Sequence, residues 1–169
     1  MKAEQLRLMQ APFKAIYRDV PEKAIITLKA KGELGGESIT CNVETGRALV
    51  EAGLHPATGG DGIALCSGDM LLEALVACAG VTMKAVATAL DLPLRGGTVR
   101  AEGDLDFRGT LGVDKEASVG FSEIRLRFEV GTDAPQDKLD LLLKLTERYC
   151  VVYQTIKNGP KVLVSMHRV

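Results

Sequence analysis

Two cysteines are the residues of this sequence whose positions best suit chemistry. Cys78 lies in the middle of the longest apolar stretch, residues 67–90, and Cys150 closes a separate amphipathic run far downstream. A thiolate attacks electrophiles and is readily oxidised, whereas the protonated thiol reacts poorly. By its pattern alone, however, a cysteine inside an apolar helix is most often a small buried hydrophobe without chemistry. Both interpretations of Cys78 are open at this point.

The remaining cysteines and the histidines predict neither a metal site nor a disulfide scaffold. The four cysteines are widely and irregularly spaced, no C-x-x-C motif occurs, and the two histidines are His55 and His167. Structural zinc sites need clustered ligand pairs, and secreted disulfide scaffolds are smaller and richer in cysteine. We therefore expect reduced thiols and no metal or organic cofactor. Cys41 and Cys66 are interpreted as spare buried thiols.

Composition favours a soluble globular protein with a single domain spanning residues 1–169. Hydrophobic residues make up 46% of the chain and charged residues 25%. The net charge is −1, and the acidic and basic residues are interspersed along the sequence. Aromatic residues are 4% without tryptophan, which disfavours nucleic-acid binding. The first ten residues are too polar for a signal peptide, and Asp69, Glu73 and Lys84 argue against a membrane span over residues 67–90. A cytoplasmic location is predicted, with no membrane or nucleic-acid partner.

The N-terminal part of the chain predicts an antiparallel β-meander over residues 13–43. Its three strands are predicted at residues 13–18, 24–30 and 37–43, separated by Pro and Gly turns. Residues 45–52 could form a short helix, and the glycine-rich residues 54–62 can only be a loop.

The apolar stretch predicts a central helix over residues 67–90. Ser67 is a plausible N-cap, and Asp69 lies in the positively polarised first turn. Apolar and small residues cover every face beyond it, which indicates a helix buried all round. Pro93 and the glycines at 96 and 97 end the segment.

The C-terminal part predicts a ββααβ arrangement over residues 98–169. Its elements are two paired strands at 98–107 and 121–130, a helix whose entry lies at residues 132–138, a break near Cys150, a shorter helix ending at 158–159, and a final strand at 160–169. The second strand alternates apolar and charged residues, as a half-solvated antiparallel strand does. The fold class is therefore α+β.

Two sequence motifs within these predicted elements carry a family resemblance. The segment from Ser67 to Met83 combines a glycine-acid-Leu-Leu helix start with a cysteine flanked by small residues, and Cys150 opens the short helix near the C-terminus. Together they resemble the OsmC/Ohr family of thiol-dependent hydroperoxide reductases over most of the chain. The resemblance implies antiparallel sheets around a long buried central helix, in an intertwined homodimer with active sites at the subunit interface.

The resemblance also implies a reaction. Cys78 matches the family's peroxidatic cysteine, which a hydroperoxide oxidises to a sulfenic acid, and Cys150 matches the resolving cysteine that then forms a disulfide with it. The substrate would be an organic hydroperoxide, given the apolar surroundings, and an external dithiol, possibly of the lipoyl type, would reduce the disulfide. The alternative is a non-catalytic stress protein or a redox sensor. One departure is Val151, which stands where many relatives carry proline.

Activation of Cys78 is expected to need a nearby cation, because burial in an apolar pocket raises a thiol pKa. Lys84 lies on the opposite face of the same helix. By resemblance an arginine supplies the charge: Arg18 is the best positional match and Arg47 the second. The family's acidic partner of that arginine corresponds to Asp69. Nine helical residues, or ~13 Å, separate Asp69 from Cys78, so it would have to act across the dimer interface.

Overall fold

The computed structural model describes residues 2–20, 31–34, 40–44, 49–112 and 114–168. The helices are α1 (Ala3–Asp19), α2 (Ser67–Ala89), α3 (Phe107–Thr110), α4 (Gln136–Tyr149) and α5 (Val151–Asn158). The strands are β1 (Lys31–Leu34), β2 (Thr40–Glu44), β3 (Leu49–Gly53), β4 (Leu65–Cys66), β5 (Gly97–Leu105) and β6 (Phe121–Val130). A 3₁₀ turn, Pro56–Thr58, lies between β3 and β4. The described elements form a mixed helix and sheet fold.

The strands form two separate sheets. In the first, the order is β1-β2-β3-β4, with antiparallel pairs except for the short parallel contact of β3 with β4. In the second, β5 and β6 pair in antiparallel register along their length, with Val99 opposite Phe128. The alternation seen in the sequence of β6 is confirmed: Ile124, Leu126, Phe128 and Val130 are half-buried, while Glu123, Arg127 and Glu129 are exposed.

Helix α2 packs against more of the other elements than any other helix or strand does, with contacts to α1, α4, α5, β4 and β5. It buries the stripe Leu75, Ala79, Met83 and Ala87, whose four-residue spacing marks one face of a helix. Met83 and Ala87 join Leu92 and Leu142 in the core, and apolar side chains of β6 pack against them.

The expectation that α2 is buried all round is wrong for the single chain. Leu71 is 41% exposed and Val81 72% exposed, because the described elements pack on one side of the helix. By length and hydropathy alone α2 would also qualify as a membrane-spanning helix, contrary to the sequence argument above. Core helices of water-soluble proteins share these two features, and the packing of five other elements on α2 is what a core helix shows.

Three local predictions are corrected. Residues 13–18, predicted as a strand, lie inside α1, where strong helix formers precede them and override a short alternating pattern. Residues 49–52, predicted as helix, belong to β3, which pairs with β2. Residues 160–168, predicted as a final strand, have no helix or strand. The predicted strand at 24–30 and residues 45–48 lie outside the described residues.

Other predictions agree with the structure. The central helix spans Ser67–Ala89, but its N-cap is Cys66 and not the predicted Ser67, because Ser67 is already the first helical residue. The predicted break near Cys150 separates α4 from α5. The paired strands at 98–107 and 121–130 correspond to β5 and β6, although Asp106 already caps α3 by accepting a hydrogen bond from the Arg108 N–H. The single-domain organisation stays a prediction.

Candidate functional site

The fold brings Cys78 and Cys150 together. Cys78 lies halfway along α2, and Cys150 lies at the junction of α4 and α5, both of which pack on α2. The two thiols are close enough that each shifts the pKa of the other. Both cysteines are free thiols, so this arrangement is the reduced state of the pair.

Cys150 is held in place by both helices that meet at it. It is both the C-cap of α4 and the N-cap of α5, and its backbone is extended (φ −73°, ψ 107°). Its N–H donates to the Thr146 carbonyl at 2.9 Å, and its own carbonyl accepts the Gln154 N–H at 3.0 Å. The Gln154 side chain also donates to the Glu147 carbonyl at 2.8 Å, which ties α5 to the end of α4. The Cys150 side chain is consequently fixed and only 1% exposed.

The pKa of the Cys78 thiol is lowered, and the cause is a set of hydrogen-bond donors. Burial by itself raises the pKa, but the backbone N–H of Val152, the thiol of Cys150, the hydroxyl of Thr82 and the backbone N–H of Val151 together outweigh it. The two N–H groups belong to the first turn of α5, where they have no partner within the helix and carry its partial positive charge. The α5 N-terminus therefore stabilises the Cys78 thiolate.

Cys150 shows the opposite shift. Burial raises the pKa of its thiol most, and the hydrogen bond and negative charge of Cys78 raise it further, against a smaller lowering by the Tyr153 and Val152 N–H groups. Two adjacent thiols do not readily carry two negative charges, so Cys78 loses its proton first and Cys150 keeps its own. Its place at a helix start predicts a lowered pKa for Cys150; the structure corrects this, because burial and the adjacent Cys78 together outweigh the lowering by the N–H groups of α5.

The predicted charged residues are not gathered around the thiol pair by the described part of the chain. Asp69 is exposed in the first turn of α2, where it lines a cavity of about 330 Å³ with His55 and Cys66. Arg18 is near the end of α1, but its side chain lies outside the described residues, as does the whole of Arg47. An activating guanidinium and a role for Asp69 stay predictions.

The remaining cysteines and histidines either make contacts that stabilise the fold or lie partly outside the described residues. His55 caps the 3₁₀ turn, with its Nδ1 accepting the Ala57 N–H at 3.0 Å, and its ring stacks on Phe107 at 4.9 Å. Cys66 is a half-buried free thiol at the N-cap of α2. Cys41 lies in β2 with its side chain outside the described residues, and His167 lies in the irregular C-terminal segment. Within the described ranges, no cluster of three metal-ligating side chains occurs.

Sequence reasoning missed the hydrogen-bond donors to Cys78. Thr82 is detectable in the sequence, since it follows Cys78 by four positions on one helix and such residues are neighbours. The N–H groups of Val151 and Val152 are not detectable, because only the packing of α5 on α2 aims them at the sulfur.

Val151→Pro is expected to raise the pKa of the Cys78 thiol. Proline is well accepted at the first position of a helix, and the extended backbone of Cys150 suits a residue before proline. The substitution therefore removes the donor while keeping the fold. The measurement is the pH dependence of Cys78 alkylation, followed by mass spectrometry of its peptide. Val151→Ala keeps the N–H and is the control; equal curves for the two variants would contradict the assignment of this donor.

Comparison with known proteins gives a family match and a set of similar structures. The family model described as OsmC-like protein matches residues 59–165, which include both cysteines. No curated protein matches the sequence. An OsmC-like protein from Mycoplasma pneumoniae aligns with a TM-score of 0.65 and 16% identity, covering 79% of this chain and 89% of that one.

Two further similar structures are named as organic hydroperoxide resistance proteins. The protein from Legionella pneumophila aligns with a TM-score of 0.62 and 18% identity, over 80% of this chain and 92% of that one. The protein from Elizabethkingia anophelis aligns with a TM-score of 0.63 and 14% identity, over 80% and 91% respectively. At these identities the likeness establishes the fold.

Proposed function

Because this chain belongs to the OsmC-like protein family, we propose that it is a thiol-dependent peroxidase that reduces organic hydroperoxides. The observation that carries the proposal is the pairing of Cys78 with Cys150, with the pKa lowered on the first thiol and raised on the second. A thiolate beside a protonated thiol is the arrangement that a nucleophile and its resolving partner need. The names of the hydroperoxide resistance proteins support the substrate class.

In the first step the Cys78 thiolate attacks one oxygen of the hydroperoxide. The S–O bond forms as the O–O bond breaks, which leaves a sulfenic acid on Cys78 and an alkoxide that takes a proton from water and departs as an alcohol. Sulfur is oxidised by two electrons, and the peroxide is reduced by two. Cys78 is only partly buried, so a small substrate can reach it.

In the second step Cys150 resolves the sulfenic acid. Its sulfur attacks Cys78, the S–S bond forms, the S–O bond breaks, and the departing hydroxide takes the Cys150 proton to leave as water. Oxidation of Cys78 also removes the negative charge that contributes to the raised pKa of Cys150. The resolving thiol is thus easier to ionise after the first step than before it, which orders the two steps.

The surroundings of the pair suit an apolar substrate and a reducing compartment. Val81 on the Cys78 side of α2 is 72% exposed, Val151 is 69% exposed and Tyr149 is 58% exposed. Such side chains favour an alkyl or aryl hydroperoxide over hydrogen peroxide. An external dithiol of the lipoyl type would supply two electrons and two protons to regenerate the thiols. Free thiols fit the proposed cytoplasmic location.

Turnover tests this proposal against the redox sensor. With excess dithiothreitol as a general dithiol, the protein should consume many equivalents of cumene hydroperoxide, detected by loss of peroxide over time. A sensor whose disulfide the dithiol does not reduce would consume one equivalent and stop. A protein whose thiols are only structural would form no Cys78–Cys150 disulfide with peroxide at all.

Arg18→Ala is expected to raise the pKa of the Cys78 thiol by about one unit or more, because one unit corresponds to ~1.4 kcal/mol of lost thiolate stabilisation. This prediction comes from the family resemblance. It assumes that the Arg18 guanidinium stabilises the Cys78 thiolate in addition to the hydrogen-bond donors described above. Thiolate absorbance against pH measures the shift. Arg47→Ala is the matched variant: a shift for Arg47→Ala without one for Arg18→Ala would show that the wrong arginine was chosen.

A further inference from the structure

One face of helix α2 is left exposed by the described part of the chain. Its exposed residues recur at the three- and four-residue spacing of a helix face: Glu73, Ala74, Ala77, Val81 and Lys84. Val81, the largest apolar side chain among them, is 72% exposed. The buried stripe from Leu75 to Ala87 lies on the opposite side of the helix, toward the core. The exposed set is the open face of α2.

Charge is distributed unevenly along the open face. Helix α2 has three charged residues, of which Asp69 and Glu73 lie in its N-terminal part and Lys84 in its C-terminal part. Glu73 and Lys84 are eleven positions apart, which is close to three full turns, so they lie on the same flank of the open face about 16 Å from each other. The open face is therefore acidic at one end, basic at the other and uncharged between them.

A groove lies beside the acidic end of the open face. It is a cavity of about 470 Å³ between α2 and β5, lined by Asp69, Leu72, Glu73, Val76, Ala77 and Ala101. Asp69 and Glu73 are exposed carboxylates, and the other lining residues are apolar. A lysine suits such a groove, because its four-carbon stem can lie on apolar walls while its ammonium group meets a carboxylate.

We propose that the open face of α2 docks on the open face of α2 in a second copy of this chain, with the two helices antiparallel and Glu73 of each copy beside Lys84 of the other. Antiparallel helices bring the acidic end of each face onto the basic end of the other, and residues on the same flank of the two helices then meet. Two equivalent contacts form about a two-fold axis, as in an isologous dimer. A parallel pair would bring like ends together, and neither carboxylate would meet an ammonium group.

The spacing of the charges identifies the occupant as a second copy. Both contacts form at once only if the partner helix has a carboxylate and an ammonium group eleven positions apart on one flank, and α2 itself meets that requirement. Ala74 and Ala77 are small enough for two helices to approach closely, and Val81 of each copy becomes buried between them. The inference adds an orientation and a pair of contacts to the homodimer expected from the family resemblance, and it does not depend on the peroxidase reaction.

Mixed dimers of two charge-reversed variants test the contact. In a Glu73→Lys homodimer both contacts would join two cations, and in a Lys84→Glu homodimer both would join two anions. A dimer with one copy of each variant would have opposite charges at both contacts. The two variants are co-expressed with tags of different mass, and the dimers are counted by native mass spectrometry.

The mixed dimer is expected to make up roughly four-fifths of all dimers, against about half for random pairing, because each contact between exposed charges contributes modestly but two mixed dimers have four favourable contacts where the two homodimers have four repulsive ones. The matched control is Asp140→Lys co-expressed with Lys144→Glu. It makes the same charge reversals at exposed positions of α4 and should pair at random.

The double variant Glu73→Lys with Lys84→Glu tests the orientation. Both charges are reversed, so an antiparallel pair regains opposite charges at both contacts, and the Tm at a fixed protein concentration should return close to that of the wild type, above both single variants. Random pairing of the single variants, pairing no different from the α4 control, or a double variant whose loss of Tm equals the sum of the two single losses would overturn the proposal. A monomeric wild-type protein would overturn it as well.

Discussion

Cys78→Ser is expected to abolish hydroperoxide consumption. A serine hydroxyl does not ionise near neutral pH and cannot be oxidised to a sulfenic acid, so serine cannot replace the thiolate in the first step. The loss should be complete, because Cys150, the adjacent thiol, is 1% exposed and keeps its proton. The measurement is the rate of cumene hydroperoxide loss in the presence of a dithiol.

Cys150→Ser is expected to separate the two steps. Cys78 still reacts once, but its sulfenic acid has no resolving thiol, so turnover stalls and excess peroxide carries Cys78 to the sulfinic or sulfonic acid. Removing Cys150 also removes one donor from the Cys78 sulfur, so the first oxidation itself should slow. Intact-mass spectrometry distinguishes one added oxygen from two or three.

Cys66→Ser is the matched control for both variants, because Cys66 is a free, half-buried thiol that lies outside the pair. It should leave peroxide turnover and Cys78 oxidation unchanged. An unmodified Cys78 beside an oxidised Cys66 or Cys41 after peroxide treatment would overturn the assignment of the nucleophile.

The protein is expected to be an obligate homodimer, and the single chain shows why. Apolar side chains that a monomer would leave in water are found on α2 and in the C-terminal segment. Their exposed fractions are 72% for Val81, 76% for Val162, 81% for Leu163, 91% for Val164 and 95% for Met166. Exposed apolar surface of this kind marks an interaction site. A second copy is the predicted occupant, with an interface on the order of 2,000 Å² or more.

A dimer makes thermal stability depend on protein concentration. Folded dimers in equilibrium with unfolded monomers gain ~1.4 kcal/mol per tenfold rise in concentration, which for a chain of this length corresponds to roughly 2 °C in Tm. Differential scanning calorimetry over a hundredfold concentration range measures the shift. Light scattering at micromolar concentration gives the mass directly, and a stable monomer of 18.1 kDa would contradict the prediction.

Val81→Glu is expected to weaken the dimer, because it would bury an unpaired charge in the interface. Lys138→Glu introduces the same side chain at an exposed position of α4, away from Val81, and serves as the control. If both variants keep the dimer mass at low concentration, the Cys78 side of α2 is not the contact surface. Asp69 would then have no route to the Cys78 of a partner subunit.

Local patterns in the sequence predicted the elements that hold the thiols. The helix around Cys78, the α4–α5 break at Cys150 and the paired strands follow from periodicity, glycine and proline positions, and β-branched content, which act over a few residues. The same reasoning placed a strand at residues 13–18 because a six-residue alternating window does not distinguish a strand from the end of a helix. It placed a strand at 160–168, where no strand among the described residues provides a ladder of hydrogen bonds.

The sequence by itself determined that two thiols are available, which helix carries the first, and, through its motifs, which family the chain belongs to. Only the tertiary structure decided which thiol has the lowered pKa. A thiol pKa depends on the dipoles and charges within a few ångströms, and those that lower the pKa of Cys78 come from Thr82 and, mostly, from residues 150–152, which are distant in sequence. Cys150 begins a helix, yet its own pKa is raised, because packing buries it and places it beside Cys78, and these effects outweigh the N–H groups of that helix.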